Sequence, residues 1–211
     1  MPAAKCLQFS AALATLSGCV AELGDGAAEL GEDDVAGGVD AGSGGATCSP
    51  TNAQGVASEF PKALLDMIAT AEGTLGRGKD GYDVTFGYRF YADSCDDHPF
   101  RVRAPTCAGK YCSTAAGRYQ FLLATWDGLE LPNFWPENQE RGALQLIARR
   151  GVALPSDRAL SLMEFADAMD KLSYEWASLP PGRYGQPTYT MAEARDAYCR
   201  LTVCDASSDT P

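Results

Sequence analysis

Apolar residues recur at Phe60, Leu64, Leu65, Ile68 and Ala71, the spacing of one helical face, and a carboxylate, Glu72, then falls on that same stripe. A chain that buries this face carries Glu72 with it, into the interior or a cleft wall. Gly73 follows as the stop signal for the helix. A carboxyl group held against apolar side chains loses hydration of its charged form, so its pKa is expected to climb from about 4.3 toward roughly 6 or more. That range suits a general acid at neutral pH. The competing reading is a solvated glutamate at the last turn of an ordinary helix, salt-bridged to Arg77 or Lys79.

The pattern changes after this helix. The stretch from Gly81 to Tyr91 is dense in β-branched and aromatic residues, with glycines at its bends, which predicts a short hairpin. A polar loop holding Asp93, Asp96, Asp97, His98 and three cysteines comes next. Further helices are expected from Arg118 to Leu129, from Pro136 to Arg150, from about Ser156 or Leu160 to Leu179, and from Met191 to Leu201. In the fourth, Met163, Ala166, Met169, Leu172 and Trp176 share a face and are assigned to the core. The sum is an α+β domain, mainly helical, with a small β-hairpin region after the first helix.

The chain has 211 residues, enough for one domain of about 150 residues and its extensions. Residues 1–19 have the form of an export signal: Lys5, an uncharged run from Cys6 to Leu16, then Leu16-Ser17-Gly18-Cys19. That run is too short to span a bilayer. The tetrapeptide resembles the bacterial lipobox, which implies acylation of Cys19 and a lipid anchor on a bacterial membrane; simple secretion is the alternative. Residues 20–54 are expected to form a disordered Gly/Ala-rich tether, acidic through Glu22, Asp25, Glu29, Glu32, Asp33, Asp34 and Asp40. The catalytic domain is placed at 55–204 and a disordered tail at 205–211.

From Cys48 onward the chain carries 21 of the 28 acidic and 16 of the 17 basic side chains, a net charge of −5. Nucleic acid is therefore excluded as a partner, since phosphate recognition requires a basic face. Setting aside Cys6 and Cys19, six cysteines remain, an even number that reads as disulfides in an exported domain. The short spacings favour Cys107 with Cys112 and Cys199 with Cys204, leaving Cys48 for Cys95. No spacing is of the zinc-binding CxxC type and His98 is the sole histidine, so no metal is expected.

Two further strings offer sugar-binding chemistry. Ala116-Gly117-Arg118-Tyr119-Gln120 combines close backbone approach, an aromatic face and an amide, and the loop from Ala177 to Gln186 repeats the grouping around Tyr184 and Gln186. Taken singly, each reads as an ordinary capped helix or loop. In their order along the chain, Ala71-Glu72-Gly73-Thr74, Gly81-Tyr82-Asp83-Val84, Asp97-His98-Pro99, Ala116-Gly117-Arg118-Tyr119-Gln120, Trp176-Ala177-Ser178-Leu179-Pro180 and Tyr184-Gly185-Gln186 resemble the phage lambda endolysin family of peptidoglycan lytic transglycosylases and muramidases. The resemblance implies a lysozyme-like α+β fold, Glu72 as the single catalytic acid, and Tyr119, Gln120, Tyr184 and Gln186 lining a glycan cleft. It also implies a cofactor-free monomer acting on peptidoglycan strands. The export signal, the acidic tether and the added cysteines depart from the phage pattern and put a lysis role in doubt.

Glycosidic cleavage usually pairs an acid with a second carboxylate. If the sugar's own 6-hydroxyl attacks the anomeric carbon, Glu72 alone suffices, first as acid and then as base. Asp83 and Asp93 are the candidates for a second carboxylate if water attacks instead, although Asp83 reads more readily as a turn organiser and His98 as a loop hydrogen bonder. A non-catalytic peptidoglycan-binding module is the remaining alternative.

Overall fold

The computed structural model describes residues 49–91, 95–185 and 187–204. The signal segment with Cys19, most of the expected tether, Cys48, Asp93, Gln186 and the tail from 205 lie outside the described residues. The end of the expected tether belongs to the folded body: Pro50–Ala53 form one turn of 3-10 helix, Ala53 is buried, and the turn packs on the helix at Pro136–Arg149. The domain thus reaches back at least to Pro50, a few residues before the boundary that composition suggests.

Helix α1 spans Glu59–Ala71 and buries Leu64, Leu65, Met67, Ile68 and Ala69, the face the sequence predicts. At its end the Gly73 N–H donates to Thr70 O at 3.0 Å and the Thr74 N–H to Ala69 O at 2.9 Å. Gly73, at φ +70°, supplies the left-handed residue that this closure requires. Glu72 is the C-cap of α1, its backbone still helical before the reversal, so its position is fixed by the end of the helix.

The predicted hairpin is present as β1 (Val84–Thr85) and β2 (Arg89–Phe90), paired antiparallel with Val84 opposite Phe90. A second hairpin, β3 (Thr106–Ala108) and β4 (Tyr111–Ser113), stands where a polar loop was expected. Cys107 faces Cys112 across it and the two are bonded. Both strands are largely exposed, so they lack the apolar alternation that announces a half-buried strand. The exit of β4 runs back along β1, with the Phe86 N–H donating to Ala115 O at 2.9 Å and the Gly117 N–H to Val84 O at 2.7 Å.

The helix expected from Arg118 to Leu129 is mostly a tight loop. Gly117 and Gln120 take φ of +77° and +48°, and only α2 (Leu123–Asp127) is helical. Helix α3 (Pro136–Arg149) has its proline at the start as predicted. Helix α4 (Leu162–Leu172) is shorter than expected, opening at a Ser161–Glu164 capping box. Met163 is 84% exposed and Ala166 only partly buried; Met169 and Leu172 are core as predicted, joined by Phe165 and Ala168, while Trp176 and Leu179 are buried beyond the helix. Helix α5 (Met191–Leu201) packs along α1 and touches α4. Between the helices lies an aromatic cluster of Phe121, Trp126 and Phe134, with the last two rings edge to face at 4.6 Å.

Cys199 and Cys204 are bonded, as expected. Cys95 is also disulfide-bonded, and its partner lies outside the described residues. Among the described residues no helix is long and apolar enough to cross a membrane.

Candidate active site

Glu72 has no exposed surface, and the hydroxyl of Ser178 donates to its Oε1 at 2.6 Å. The solvated alternative therefore does not hold. Arg77, its proposed surface partner, turns elsewhere: Nε donates to Gly73 O at 2.6 Å and the guanidinium lies 4.2 Å from the centre of the Tyr88 ring. Ser178 comes from the turns after α4, which are pinned by the Trp176 indole donating to Tyr119 O at 3.0 Å and by the Tyr189 N–H donating to Ser178 O at 3.0 Å.

Next to this carboxyl lies a cleft of about 450 Å³, lined by Gly73, Arg77, Tyr88, Ser178, Tyr189 and Glu193 among others. Tyr88 keeps its phenol proton more firmly than a free tyrosine, because burial disfavours the phenolate; Arg77 opposes that effect and Glu72 adds to it. Glu193 accepts from both the N–H and the hydroxyl of Thr190 at 2.8 Å, and these hydrogen bonds hold its carboxyl below the usual range.

The sequence-predicted ligands are distributed differently from expectation. Tyr119, Gln120 and Tyr184 line a separate hollow of about 50 Å³, together with Trp176 and Ala177, and not the cleft that Ser178 lines. Tyr119 is fully buried and its hydroxyl donates to Glu140 Oε1 at 2.6 Å, so it faces the interior. Gln120 donates to Gly117 O at 2.9 Å, and its buried Oε1 has no hydrogen-bond partner among the described residues. Tyr184 is half exposed and its hydroxyl donates to Tyr174 O at 3.1 Å.

Asp83 organises a turn, accepting the Lys79 N–H at 2.8 Å. His98 is buried; its Nδ1 accepts the Phe100 N–H at 3.3 Å, which leaves Nε2 to donate to Phe121 O at 2.9 Å. Burial pushes its pKa down to about 4, so it is neutral at pH 7.

The Gly117-Arg118-Tyr119 string is a structural clamp. Arg118, 1% exposed, reaches Asp66 on α1 and Asp80 before β1, each at 2.6 Å, and lies 4.0 Å from Glu140 on α3. Glu140 Oε1 accepts from Tyr82 at 2.5 Å as well as from Tyr119. Thr74 Oγ1, two residues past Glu72, sits 2.5 Å from Arg118 O, tying the clamp to the end of α1.

A family model described as Endolysin matches residues 62–202, two thirds of the chain. The chain belongs to the endolysin family. The endolysin of Escherichia phage lambda is 43% identical over 133 residues, covering 59% of this chain and 80% of that protein. The endolysin of Escherichia phage P2 is 38% identical over 144 residues, covering 61% and 84%. Bacteriophage lambda lysozyme complexed with a chitohexasaccharide superposes with a TM-score of 0.60 at 36% identity, over 68% of this chain and 94% of that one. The fold is thus lysozyme-like α+β, and both Glu72 and Ser178 fall within the endolysin match.

Sequence reasoning about this endolysin-family chain passed over Ser178, Tyr88 and Tyr189. Ser178 was visible only as one residue of the Trp176–Pro180 string; nothing local marks it as the partner of a carboxylate 106 positions earlier. Tyr88 sits at φ +58°, a left-handed turn position that a tyrosine seldom takes.

Proposed function

We propose that this protein cleaves the β-1,4 bond between N-acetylmuramic acid and N-acetylglucosamine in peptidoglycan as a lytic transglycosylase, with Glu72 as its one acid and base. The observation that carries the reading is a carboxyl group with no exposed surface, bonded to Ser178 beside a cleft. Membership of the endolysin family supports the coarser part, a peptidoglycan-cleaving enzyme.

The chemistry follows from the geometry. Desolvation favours a protonated Glu72, whereas the Ser178 hydroxyl favours the ionised form. In the proposed reaction this one carboxyl gives a proton and takes one back. The Glu72 carboxyl, held by Ser178, protonates the bridging oxygen as the glycosidic bond breaks; the 6-hydroxyl of muramic acid then closes on C1 as the carboxylate receives its proton. Positioned proton transfer contributes roughly 10² to 10⁴ in rate, and holding the ring in a reactive shape contributes much of the rest. Because Glu72 has no exposed surface, side chains around it must shift before a sugar can touch it.

The one-carboxylate route is our preferred reading over hydrolysis, supported by the hydrogen bonds of the described carboxylates near the cleft. Among the described residues, Asp83 accepts the Lys79 N–H and Glu193 accepts from Thr190; Asp93 lies outside them. Glu72→Gln is expected to abolish the clearing of purified sacculi while the variant stays folded and still sediments with them. Undiminished clearing by that variant overturns the assignment. Export and anchoring through an acylated Cys19 complete the proposal.

A further inference from the structure

We infer that Arg77, seated on Tyr88, is a carboxylate-binding position in the cleft that reads the acidic substituent of the muramic-acid residue. The inference rests on the glycan-cleaving function proposed above and adds to it a basis for discriminating peptidoglycan from neutral glycans.

Arg77 is exposed at the cleft, yet its orientation is set. Its Nε donates to the carbonyl of Gly73, the residue directly after Glu72, and its guanidinium carbon lies over the Tyr88 ring, 4.2 Å from the ring centre. These two contacts leave the terminal nitrogens of the guanidinium for another acceptor. None of the ion pairs among the described residues includes Arg77, whereas Arg101, Arg118, Arg150 and Arg183 each hold an aspartate or glutamate. The other charged side chain lining the cleft, Glu193, is tied to Thr190.

A guanidinium fork held beside the catalytic acid by its Nε, with its terminal nitrogens in none of the ion pairs among the described residues, matches a carboxylate, which it can take bidentately. Tyr88 adds a flat, half-buried wall that keeps the fork from sweeping away. Chitin-type chains offer only hydroxyl and acetamido groups. Muramic acid also bears a lactyl ether, whose carboxyl is either free or extended by a peptide with further carboxylates. The shared chemistry is a carboxylate close to the scissile bond.

Binding to the full-length Glu72→Gln chain and to Glu72→Gln/Arg77→Ala separates the possibilities. Three ligands are compared: glycan strands with stem peptides, amidase-treated strands with free lactyl groups, and neutral chitohexaose. Arg77→Ala is expected to weaken one or both acidic ligands by about tenfold or more, leaving chitohexaose within about twofold. Arg77→Lys should restore part of the loss. A loss confined to amidase-treated strands identifies the lactyl carboxylate, and one confined to peptide-bearing strands identifies the stem peptide. An equal loss on all three ligands, or none on either acidic strand, overturns the inference. Turnover by Glu72→Gln tests the functional proposal separately, whichever way these affinities fall.

Discussion

At the scale of single residues, the Ser178 hydroxyl is the contact most directly linked to turnover. It sits on the same carboxyl group whose proton is to be transferred, at 2.6 Å. Removing a hydrogen bond to a charged group costs roughly 1.5–3 kcal/mol, so Ser178→Ala is expected to lower kcat about 10- to 100-fold. Because the lost donor favours the ionised form, the alkaline limb of kcat/KM should move to higher pH, with Ser178→Thr recovering activity. A drop in kcat with no movement of the profile assigns Ser178 to packing alone. His98 makes a second prediction. Burial lowers its pKa to about 4 from a reference of 6.5. The unfolded chain therefore binds a proton first, and the contribution of neutral His98 to stability is full above about pH 6.5 and lost as pH falls toward 4. The loss is on the order of 3 kcal/mol. Denaturant midpoints measured between pH 7 and pH 4 should show this component, and His98→Gln should lack it.

At the scale of elements, the end of α1 is positioned by side chains far away in the sequence. Arg118, Glu140, Tyr82 and Tyr119 join α1, the first hairpin and α3 in one buried polar unit. Glu140→Ala strands the buried Tyr82 and Tyr119 hydroxyls, while Arg118 keeps Asp66 and Asp80, and is expected to destabilise the domain by about 2 kcal/mol or more in denaturant unfolding. A cost under 1 kcal/mol would show that the unit is not what holds these elements. How much of this was legible follows from the kind of signal each element emits. Helices α1, α3 and α5 bury one face and declare it by period, whereas β3–β4 is exposed, has no apolar alternation and is braced by Cys107–Cys112. The Gly117–Gln120 loop looks helical in sequence because its left-handed residues are set by contacts with Val84, Gln139 and Glu140, not by local preference. The candidate site divides the same way. Glu72 was visible because it interrupts a local stripe; Ser178, Tyr88 and the use of Arg77 depend on tertiary approach.

Across the whole molecule, the Trp176–Ser178 segment contributes to both hollows, Trp176 and Ala177 to the one holding Gln120 and Tyr184 and Ser178 to the larger cleft beside Glu72. The net charge of −5 from Cys48 onward offers no attraction toward an anionic wall, so delivery is left to location. Acylation of Cys19 would supply that location, since each buried methylene contributes about 0.8 kcal/mol to membrane affinity. Cys19→Ser is expected to move the protein from the membrane fraction to the soluble one without changing its activity on isolated sacculi. Persistence of the variant in the membrane fraction contradicts anchoring at that residue. The central claim, a single carboxylate serving as acid and base, meets its sharpest test in mass spectrometry of the fragments released from purified sacculi by the unaltered protein. One-carboxylate chemistry predicts 1,6-anhydromuramic ends. Reducing muramic ends contradict it, because water would then be the nucleophile and a second base would have to activate it.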